Sequence, residues 1–388
     1  MVKEAIKQLA QKVKPGDKAD DLHPREINDG DFQTALDGLT HAPGEPPKDL
    51  DIHTPAEKGV KHSWLQRYVP GIEKLAAEYH VGNYVVTRDD PPNKFWESMP
   101  IYVRIGMQAL YHGSEQSRLL AMPRVEEMLK AQSIKQGAAF DSPVNALAHI
   151  QSFIQTYQID TSALLEPDIG KYKTFNEFFY RRLKPDARPP ASPEDPDVVS
   201  SAADCRLTVF QSVDEAKKIW IKGHNFTIAS LLEDAEQAKQ YENGEIAVFR
   251  LAPADYHRYH SPVAGTVGKS KSIEGCYYTV NPVCVNENLD VFTKNKRDVT
   301  ELVCPRPDGS TIPVAFVQVG AMLVGTIVRT QAEGAHVKRA NELGYFGSTI
   351  IALFPPGKVQ WDADLLKNSE QAMETVVKAG EQIGRFKA

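Results

Sequence analysis

From about residue 205 onwards the sequence consists of short runs of β-branched and aromatic residues, and this pattern constrains the fold more than any other feature. Gly, Asn, Asp and Pro separate the runs, so turns are expected between them. Such runs predict strands, and short connections predict antiparallel pairing. The clearest runs lie at 207–210, 246–249, 312–317, 323–328 and 349–354. We therefore expect a mainly antiparallel sheet in this part of the chain.

A helical period precedes the strand pattern. Apolar residues recur at helical spacing from Phe95 to Leu129. Two interpretations of these helices remain open. They either pack against the sheet domain or form an interfacial pair that inserts Trp96, Ile101 and Tyr102 into a lipid surface.

Further helices are predicted on both sides of this stretch. Their periods cover residues 63–80 and 144–157. Another helix is expected to begin at Phe175, because Thr174 is a suitable N-cap and Glu177 completes a capping box.

The periods divide the chain into three segments. Residues 1–60 are polar and are expected to be poorly ordered. Residues 61–185 are expected to form a helical region that packs on the remaining chain or faces a membrane. Residues 186–388 are expected to form a β-rich domain, in which 262–267 and 333–339 resemble the turns of barrel-sandwich carrier domains. The predicted fold class is therefore α+β, with helices first and a mainly antiparallel, barrel-sandwich-like domain after them.

Charge and cysteine content argue against several classes of protein. A formal net charge of -6 and an isoelectric point near 6.0 argue against a general nucleic-acid binder. The four cysteines lack CxxC pairs and metal-ligand spacing, so they predict reduced thiols in a cytosolic protein and no metal site. The sequence shows neither a secretory h-region nor an apolar run of about 18 residues, so we expect no signal peptide and no spanning helix.

The dipeptide Gly347-Ser348 has two interpretations. Structurally, it is a turn between two strands. Chemically, the serine hydroxyl can attack the preceding glycine carbonyl and convert the amide into an ester. β-Elimination of that ester leaves a dehydroalanine, which hydrolyses to a pyruvoyl group. Glycine suits the position before the serine, because a strained backbone can approach closely where no Cβ intervenes.

Two histidines three residues apart, His257 and His260, lie upstream of this dipeptide. On a helical turn this spacing places both side chains on one side, whereas on a strand they point to opposite faces. The preceding residues, Pro253 to Tyr256, favour a turn. We therefore expect both imidazoles to face one pocket.

Four segments of the sequence resemble the phosphatidylserine decarboxylase family, and they occur in the order that the family has. The segments are Phe175–Pro185, Ser200–Asp204, Phe249–Gly265 and Gly347–Thr349. Residues Tyr277–Pro282 make the pattern most similar to the fungal type. The resemblance runs from Tyr172 to the C-terminus, which is more than half of the chain.

The resemblance implies a pyruvoyl-dependent enzyme that processes itself. Ser348 is then the nucleophile and the precursor of the pyruvoyl cofactor. Cleavage at Gly347-Ser348 would give a β chain of residues 1–347 and an α chain of residues 348–388.

The resemblance also implies roles for three other side chains. His260 is the candidate base that activates Ser348, and Asp204 is the acid that orients it, in the manner of a serine-protease triad. His257 is expected to act in the decarboxylation, by protonating the carbanion or by positioning the substrate carboxylate. The pyruvoyl group takes the electron-sink role that pyridoxal phosphate has elsewhere, so neither a lysine nor a metal is required.

The chain departs from the family pattern at two places. Family members have about three more residues between the Tyr-Phe pair and Gly-Ser-Thr, whereas here Phe346 directly precedes Gly347. The family's Ser-Pro-Ala-Asp motif is Ser-Ala-Ala-Asp at 201–204, a change outside the reacting groups. A shortened turn changes where Ser348 points, because even a one-residue slip reverses the faces of a strand.

Three functions therefore remain open. The first is decarboxylation of phosphatidylserine to phosphatidylethanolamine by a cytoplasmic protein bound peripherally to an intracellular membrane. The second is decarboxylation of a soluble amino acid such as tryptophan on the same scaffold. The third is an uncleaved homologue that only binds lipid. We expect the protein to bind a phospholipid surface and not nucleic acid. Whether it forms a homo-oligomer stays open. Arg181, Arg182 and Lys184 either face lipid headgroups or form a solvated helix end.

Overall fold

The fold is described from a computed structural model, which covers residues 84–96, 130–131, 133–134, 137–221, 226–280, 285, 290–321 and 326–387. The segment 1–60, the predicted helix at 63–80 and most of the predicted helices between Phe95 and Leu129 lie outside these residues.

Strands dominate the described residues. In chain order they are β1 Tyr84–Val86, β2 Lys94–Trp96, β3 Val198–Ser200, β4 Cys205–Phe210, β5 Ile246–Arg250, β6 Arg258–His260, β7 Gly265–Ile273, β8 Arg297–Pro305, β9 Thr311–Val319, β10 Ile327–Arg329, β11 His336–Val337, β12 Glu342–Phe346, β13 Thr349–Leu353, β14 Val359–Trp361, β15 Glu374–Val377 and β16 Gln382–Phe386. The α-helices are α1 Ala146–Tyr157, α2 Phe175–Phe179, α3 Val213–Ile219, α4 Ile228–Leu232, α5 Ala235–Ala238, α6 Val291–Lys294 and α7 Ala363–Glu370.

The strands form one large sheet and two small ones. The large sheet has ten strands in the order β11-β7-β8-β9-β13-β5-β4-β15-β1-β2. The small sheets have the orders β10-β12-β6 and β14-β16-β3. Every pairing is antiparallel except that of β1 with β15. The expected mainly antiparallel sheet is confirmed, and within the described residues each sheet is open rather than closed into a barrel.

The central strands of the large sheet are buried on both faces. Every residue of β5 and of β13 is buried. Two apolar clusters cover the two faces, one around Phe210 and Ile351 and the other around Phe249 and Ile350. A strand between two apolar layers needs apolar residues at every position, which explains why these runs are continuous rather than alternating.

Strand β2 contradicts the prediction that a helix begins at Phe95. Phe95 and Trp96 belong to β2, so they do not begin the predicted helix, and β1 and β2 pair in an antiparallel hairpin at the edge of the large sheet. The five residues from Asp89 to Asn93 include two aspartates and two prolines, which favour a turn over a helix. Tertiary contacts hold the hairpin in place, because Arg88 bonds both Asp362 and Asp364.

The helices before the sheet domain carry a third apolar cluster. It consists of Ile150, Phe153, Leu164, Phe175, Phe178, Phe179 and Phe346. The predicted N-cap of α2 is confirmed, since the Thr174 hydroxyl accepts a hydrogen bond from the Glu177 amide at 3.1 Å. The cluster places α1 and α2 directly against Phe346, the residue that precedes Gly347-Ser348.

Candidate active site

Gly347 and Ser348 lie where the chain passes from a small sheet into the large one. β12 ends at Phe346 and β13 begins at Thr349. The Ser348 amide donates to the Val319 carbonyl at 2.9 Å, and the Ser348 carbonyl accepts from the Leu251 amide at 2.9 Å. The residue after the proposed scissile bond is therefore fixed between two neighbouring strands.

The two residues before Ser348 have left-handed backbone conformations. The φ angle is +59° at Phe346 and +88° at Gly347. A Cβ on Gly347 would meet nothing closer than Ile350 at 3.6 Å, so the backbone angle rather than space calls for glycine there. A bulky residue such as Phe346 rarely adopts a positive φ, at a cost of about 1–3 kcal/mol.

Surrounding contacts hold Phe346 in this conformation. Its amide donates to the His257 carbonyl at 3.0 Å, and its ring packs in the third apolar cluster near Phe179 and Tyr180. Backbone strain persists only where the surroundings enforce it, and it is found most often at functional sites. The turn thus stores strain next to the Gly347-Ser348 bond.

His257 is a neutral, buried imidazole. Its Nδ1 lies 2.9 Å from the Asp255 carbonyl oxygen. Because a carbonyl can only accept, we assign the proton to Nδ1 and leave Nε2 with a lone pair. Burial lowers the pKa of His257 to about 3; the Asp255 carbonyl opposes this shift and the charge of Arg181 adds to it. His257 must therefore take up a proton at Nε2 before it can donate one from that atom.

His260 has the same tautomer in different surroundings. Its Nδ1 lies 2.9 Å from the Ala340 carbonyl oxygen, and its buried Nε2 has no hydrogen-bond partner among the described residues. Burial lowers the pKa of His260, while the Ala340 carbonyl and the carboxylates of Glu342 and Asp204 act in the opposite direction. Nε2 of His260 is thus a buried acceptor without a partner among the described residues.

The predicted orienting acid, Asp204, is bound by other groups. Its Oδ1 accepts from Arg188 Nε at 2.7 Å and from the Ala379 amide at 2.9 Å, and its Oδ2 accepts from Arg188 Nη2. Among the described residues no hydrogen bond joins Asp204 to His260 or His260 to Ser348. The triad therefore stays a prediction, and Asp204 meets His260 only as a nearby charge.

Strand register separates the two histidines. His260 lies opposite Glu342, six residues before Ser348, whereas the His257 carbonyl bonds Phe346, two residues before it. The predicted turn is present at Pro253 and Ala254, but it ends before His257. His260 lies in strand β6, where the backbone is extended. His257 stacks on Phe179 at 4.0 Å between ring centroids, while His260 lies near Tyr256 at 5.7 Å. The two imidazoles thus have different ring neighbours, and the pocket that they are expected to share stays a prediction.

Sequence reasoning missed several residues at this site. Gln318 lies opposite Ile350 in β13, so its side chain shares a face with Ser348 two positions away. Gln318 Oε1 and Thr349 Oγ1 are buried and have no partner within the described part of the chain. A single amide inside the apolar run 312–319 was the available signal, since an amide in such a run is seldom there for packing alone.

Comparisons with known proteins show which family the chain resembles. The family model described as phosphatidylserine decarboxylase matches residues 175–385. Phosphatidylserine decarboxylase proenzyme 3 of Schizosaccharomyces pombe is 44% identical over 292 residues, which is 74% of this chain and 30% of that protein. Proenzyme 2 of Komagataella phaffii is 41% identical over 85% of this chain and 32% of its own length. The proenzyme of Chlamydia trachomatis serovar L2 is 38% identical over 61% of this chain and 77% of its own length.

The chain belongs to the phosphatidylserine decarboxylase family. It spans about a third of the length of these fungal relatives. The matched residues include Asp204, His257, His260 and Ser348.

Proposed function

We propose that this chain cleaves itself at Gly347-Ser348 and that the processed protein decarboxylates phosphatidylserine to phosphatidylethanolamine at a membrane surface. The observation that carries the proposal is the pair of left-handed residues, Phe346 and Gly347, directly before a buried serine. Attack on the bond next to them releases the strain that they hold. None of the described helices has the length and apolar character needed to cross a bilayer.

The cleavage step uses groups of this chain alone. Ser348 Oγ attacks the Gly347 carbonyl carbon, the C–N bond breaks, and the nitrogen gains the proton that Oγ loses. A base then removes the Ser348 α-proton, and Gly347 leaves as a carboxylate. Addition of water and loss of ammonia leave a pyruvoyl group at residue 348. The bare Nε2 of His260 is our candidate base, with Asp204 as the supporting charge.

The residues around Ser348 fit a pyruvoyl group. Buried polar atoms without partners are rare in native proteins, and two of them, Gln318 Oε1 and Thr349 Oγ1, flank this position. The Thr349 hydroxyl would donate to a carbonyl oxygen of the group, whereas Gln318 Oε1 can only accept and would suit the amine of a bound substrate. When present, a pyruvoyl group supplies an electron-accepting carbonyl for the loss of an α-carboxylate.

His257 and Phe179 would serve the decarboxylation. The Phe179 ring covers the imidazole and excludes water from it. His257 Nε2 is unprotonated at neutral pH, so it can accept a proton from a bound substrate and return it to the α-carbon. The Nδ1 bond to the Asp255 carbonyl fixes the ring for this transfer.

A second candidate is an uncleaved, lipid-binding homologue. One observation that favours it is that Arg188 and the Ala379 amide donate hydrogen bonds to Asp204, the proposed partner of His260. The other is the sequence before Gly347, which is shorter than the family pattern. An oxyanion or base that is misplaced by about 1 Å loses much of its effect.

Intact-mass spectrometry of the purified chain tests both candidates. We expect fragments of residues 1–347 and 348–388, with the smaller one lighter than a serine-started peptide by the mass of ammonia. Ser348→Ala should stay full length, whereas Ser310→Ala, in an exposed turn, should cleave as the wild type does. Processed protein should release carbon dioxide from phosphatidylserine liposomes. A single full-length mass for the wild type would contradict self-cleavage and support the second candidate.

A further inference from the structure

A buried guanidinium lies directly beside His257. Arg181, just after α2, is 5% exposed, although the sequence suggested a lipid-facing or solvated position. It donates to the carbonyl oxygens of Ala254 at 3.0 Å, Asp255 at 3.3 Å and Phe179 at 3.4 Å. Its Nε bonds no described residue. Burial lowers the pKa of Arg181, yet arginine starts so high that the charge is retained.

Other arginines around the candidate site have carboxylate partners. The pairs are Arg188 with Asp204, Arg206 with Asp255, Arg250 with Glu374 and Arg258 with Glu342. Among the described residues no carboxylate forms an ion pair with Arg181. Asp204 and Asp255 act on Arg181 only as nearby charges, because they are ion-paired with Arg188 and Arg206. A buried guanidinium whose nearest carboxylates are paired elsewhere can gain a strong interaction from an anion that reaches it.

The position of Arg181 links it to the reacting groups. Its Nη2 and Nδ1 of His257 bond the same oxygen, the Asp255 carbonyl, so the guanidinium and the imidazole lie side by side. The Phe179 ring stacks on His257 and belongs to the helix that leads into Arg181. The result is a cation at one edge of the imidazole and an apolar wall on its face.

We propose that Arg181 binds the phosphodiester of a serine phospholipid headgroup beside His257 and thereby discriminates against free amino acids. This inference rests on the proposed function for the identity of the substrate. Nε and one hydrogen of Nη1 are left to donate to phosphate oxygens, because Nη2 already donates to two carbonyls and Nη1 to one. An ion pair with the carboxylate that must leave would instead stabilise the ground state and slow its loss. The phosphodiester is therefore the anion that an arginine at this place can bind without opposing the reaction.

Binding to the uncleavable Ser348→Ala chain tests the proposal without turnover. The probes for calorimetric titration are glycerophosphoserine, free serine and inorganic phosphate. We expect glycerophosphoserine to bind at least tenfold more tightly than either of the other two. Arg181→Gln in the same background should lose at least tenfold in glycerophosphoserine affinity. Arg181→Lys, which keeps the charge but not the guanidinium group, should lose less affinity.

A matched control separates recognition from folding. Arg339 is also buried and also donates to carbonyls, those of Ala191 and Ser192, without a carboxylate partner in the described structure. Arg339→Gln should lower the melting temperature and leave glycerophosphoserine affinity unchanged. If Arg181→Gln does not fold, Arg181→Lys provides the comparison, and it should still bind more weakly than the parent chain.

Three outcomes would overturn this subsite: unchanged affinity in a folded Arg181→Gln chain, equal losses in the Arg181 and Arg339 variants, or serine or phosphate binding as tightly as glycerophosphoserine. The proposed function fails separately, because it depends on cleavage of the wild type and on release of carbon dioxide. Loss of cleavage with binding intact overturns only the function. Cleavage with no effect of Arg181 on binding overturns only the subsite.

Discussion

His257 and His260 have the same tautomer and lie three residues apart, but their charged neighbours differ: a cation, Arg181, faces His257, whereas two carboxylates and the cation of Arg258 face His260. A guanidinium, Arg181, lies beside His257 and disfavours its protonation. The carboxylates of Glu342 and Asp204 lie near His260 and favour protonation against the effect of burial. A neighbouring charge of either sign shifts the basicity of a buried imidazole. The same short motif therefore holds two buried imidazoles whose protonation responds to different neighbouring charges.

Position and basicity point to different histidines for the cleavage step. We propose His260 as the base for the Ser348 hydroxyl, because two carboxylates favour its protonation. The backbone places His257 closer to the scissile bond, because its carbonyl bonds Phe346.

The largest effects are expected from removing each imidazole. His260→Gln should slow self-cleavage by at least about 100-fold, because a positioned general base contributes about 10²–10⁴-fold. His257→Gln should cleave and then decarboxylate about 10²–10⁴-fold more slowly, since it removes the proton carrier of the second reaction. Intact mass follows the first reaction, and carbon dioxide release follows the second.

The exposed His336, whose Nδ1 lies 2.9 Å from the Thr266 hydroxyl, gives the control. His336→Gln should change neither reaction. A full-length mass for His257→Gln would reverse the assignment and show that proximity to the bond outweighs the carboxylates of His260.

Acidification should destabilise the fold through the same two imidazoles. Burial lowers both pKa values, to about 3 for His257, so below pH 6.5 the unfolded chain binds protons that the folded chain excludes. The free energy of unfolding should therefore be independent of these groups above about pH 7 and fall as the pH drops. The slope approaches about 1.4 kcal/mol per pH unit for His257 well below pH 6.5, and His260 contributes in the same direction.

Denaturant unfolding at pH 7.5, 6.5 and 5.5 measures this loss. His257→Gln should reduce the loss of stability between pH 6.5 and 5.5 by about 1 kcal/mol relative to the wild type. Parallel curves for the two chains would show that His257 is not kept neutral by folding.

The periodicity of the sequence was sufficient to predict the sheet domain, α1 and α2, because these elements depend on local patterns. The runs at 207–210 and 349–354 became β4 and β13, and Thr174 caps α2. The helical spacing of apolar residues gave a wrong prediction at Phe95 and Trp96, which lie in a strand. There the turn at 89–93 and the pairing of β1 with β15 outweigh the helical spacing. A short strand docked by tertiary contacts has too few residues to show a period of its own.

The candidate site was predictable in its residue types but not in its contacts. The motifs indicated Asp204, His257, His260 and Ser348. The partner of Asp204 is Arg188, which reaches it from the preceding linker, and no local pattern encodes that pairing. The separation of the two histidines depends on the register of β6 against β12, which includes a bulge between Glu342 and Gly344.

Added strain at the scissile bond should have a moderate effect. Gly347→Ala places a Cβ on a residue with a φ of +88°, in a space that accommodates it. We expect a loss of about 1 kcal/mol of stability from the backbone, together with altered cleavage, because the new methyl group lies beside the attacked carbonyl.

Gly309→Ala is the matched control, since Gly309 has a φ of +83° and open space around it. It should lose a similar stability and cleave normally. Denaturant unfolding and intact mass measure the two effects. Equal cleavage by both variants would show that the left-handed pair before Ser348 contributes nothing to the reaction.

The smallest effect is expected from removing one charge near each imidazole. Glu342→Gln should lower the pKa of His260 further, because its carboxylate favours the protonated ring. Arg181→Gln should raise the pKa of His257, because its cation opposes protonation. Shifts of about one unit or less are expected from single charges at partly screened sites.

Glutamine suits position 342, because its amide oxygen can still accept from Arg258 Nη1, which now bonds Glu342 at 2.7 Å. NMR titration of the two imidazoles in the Ser348→Ala chain measures both shifts without cleavage. Shifts of opposite sign would establish that neighbouring charge distinguishes the two histidines. Shifts of the same sign would mean that both variants act by loosening the fold, and the difference in basicity would then have to come from burial alone.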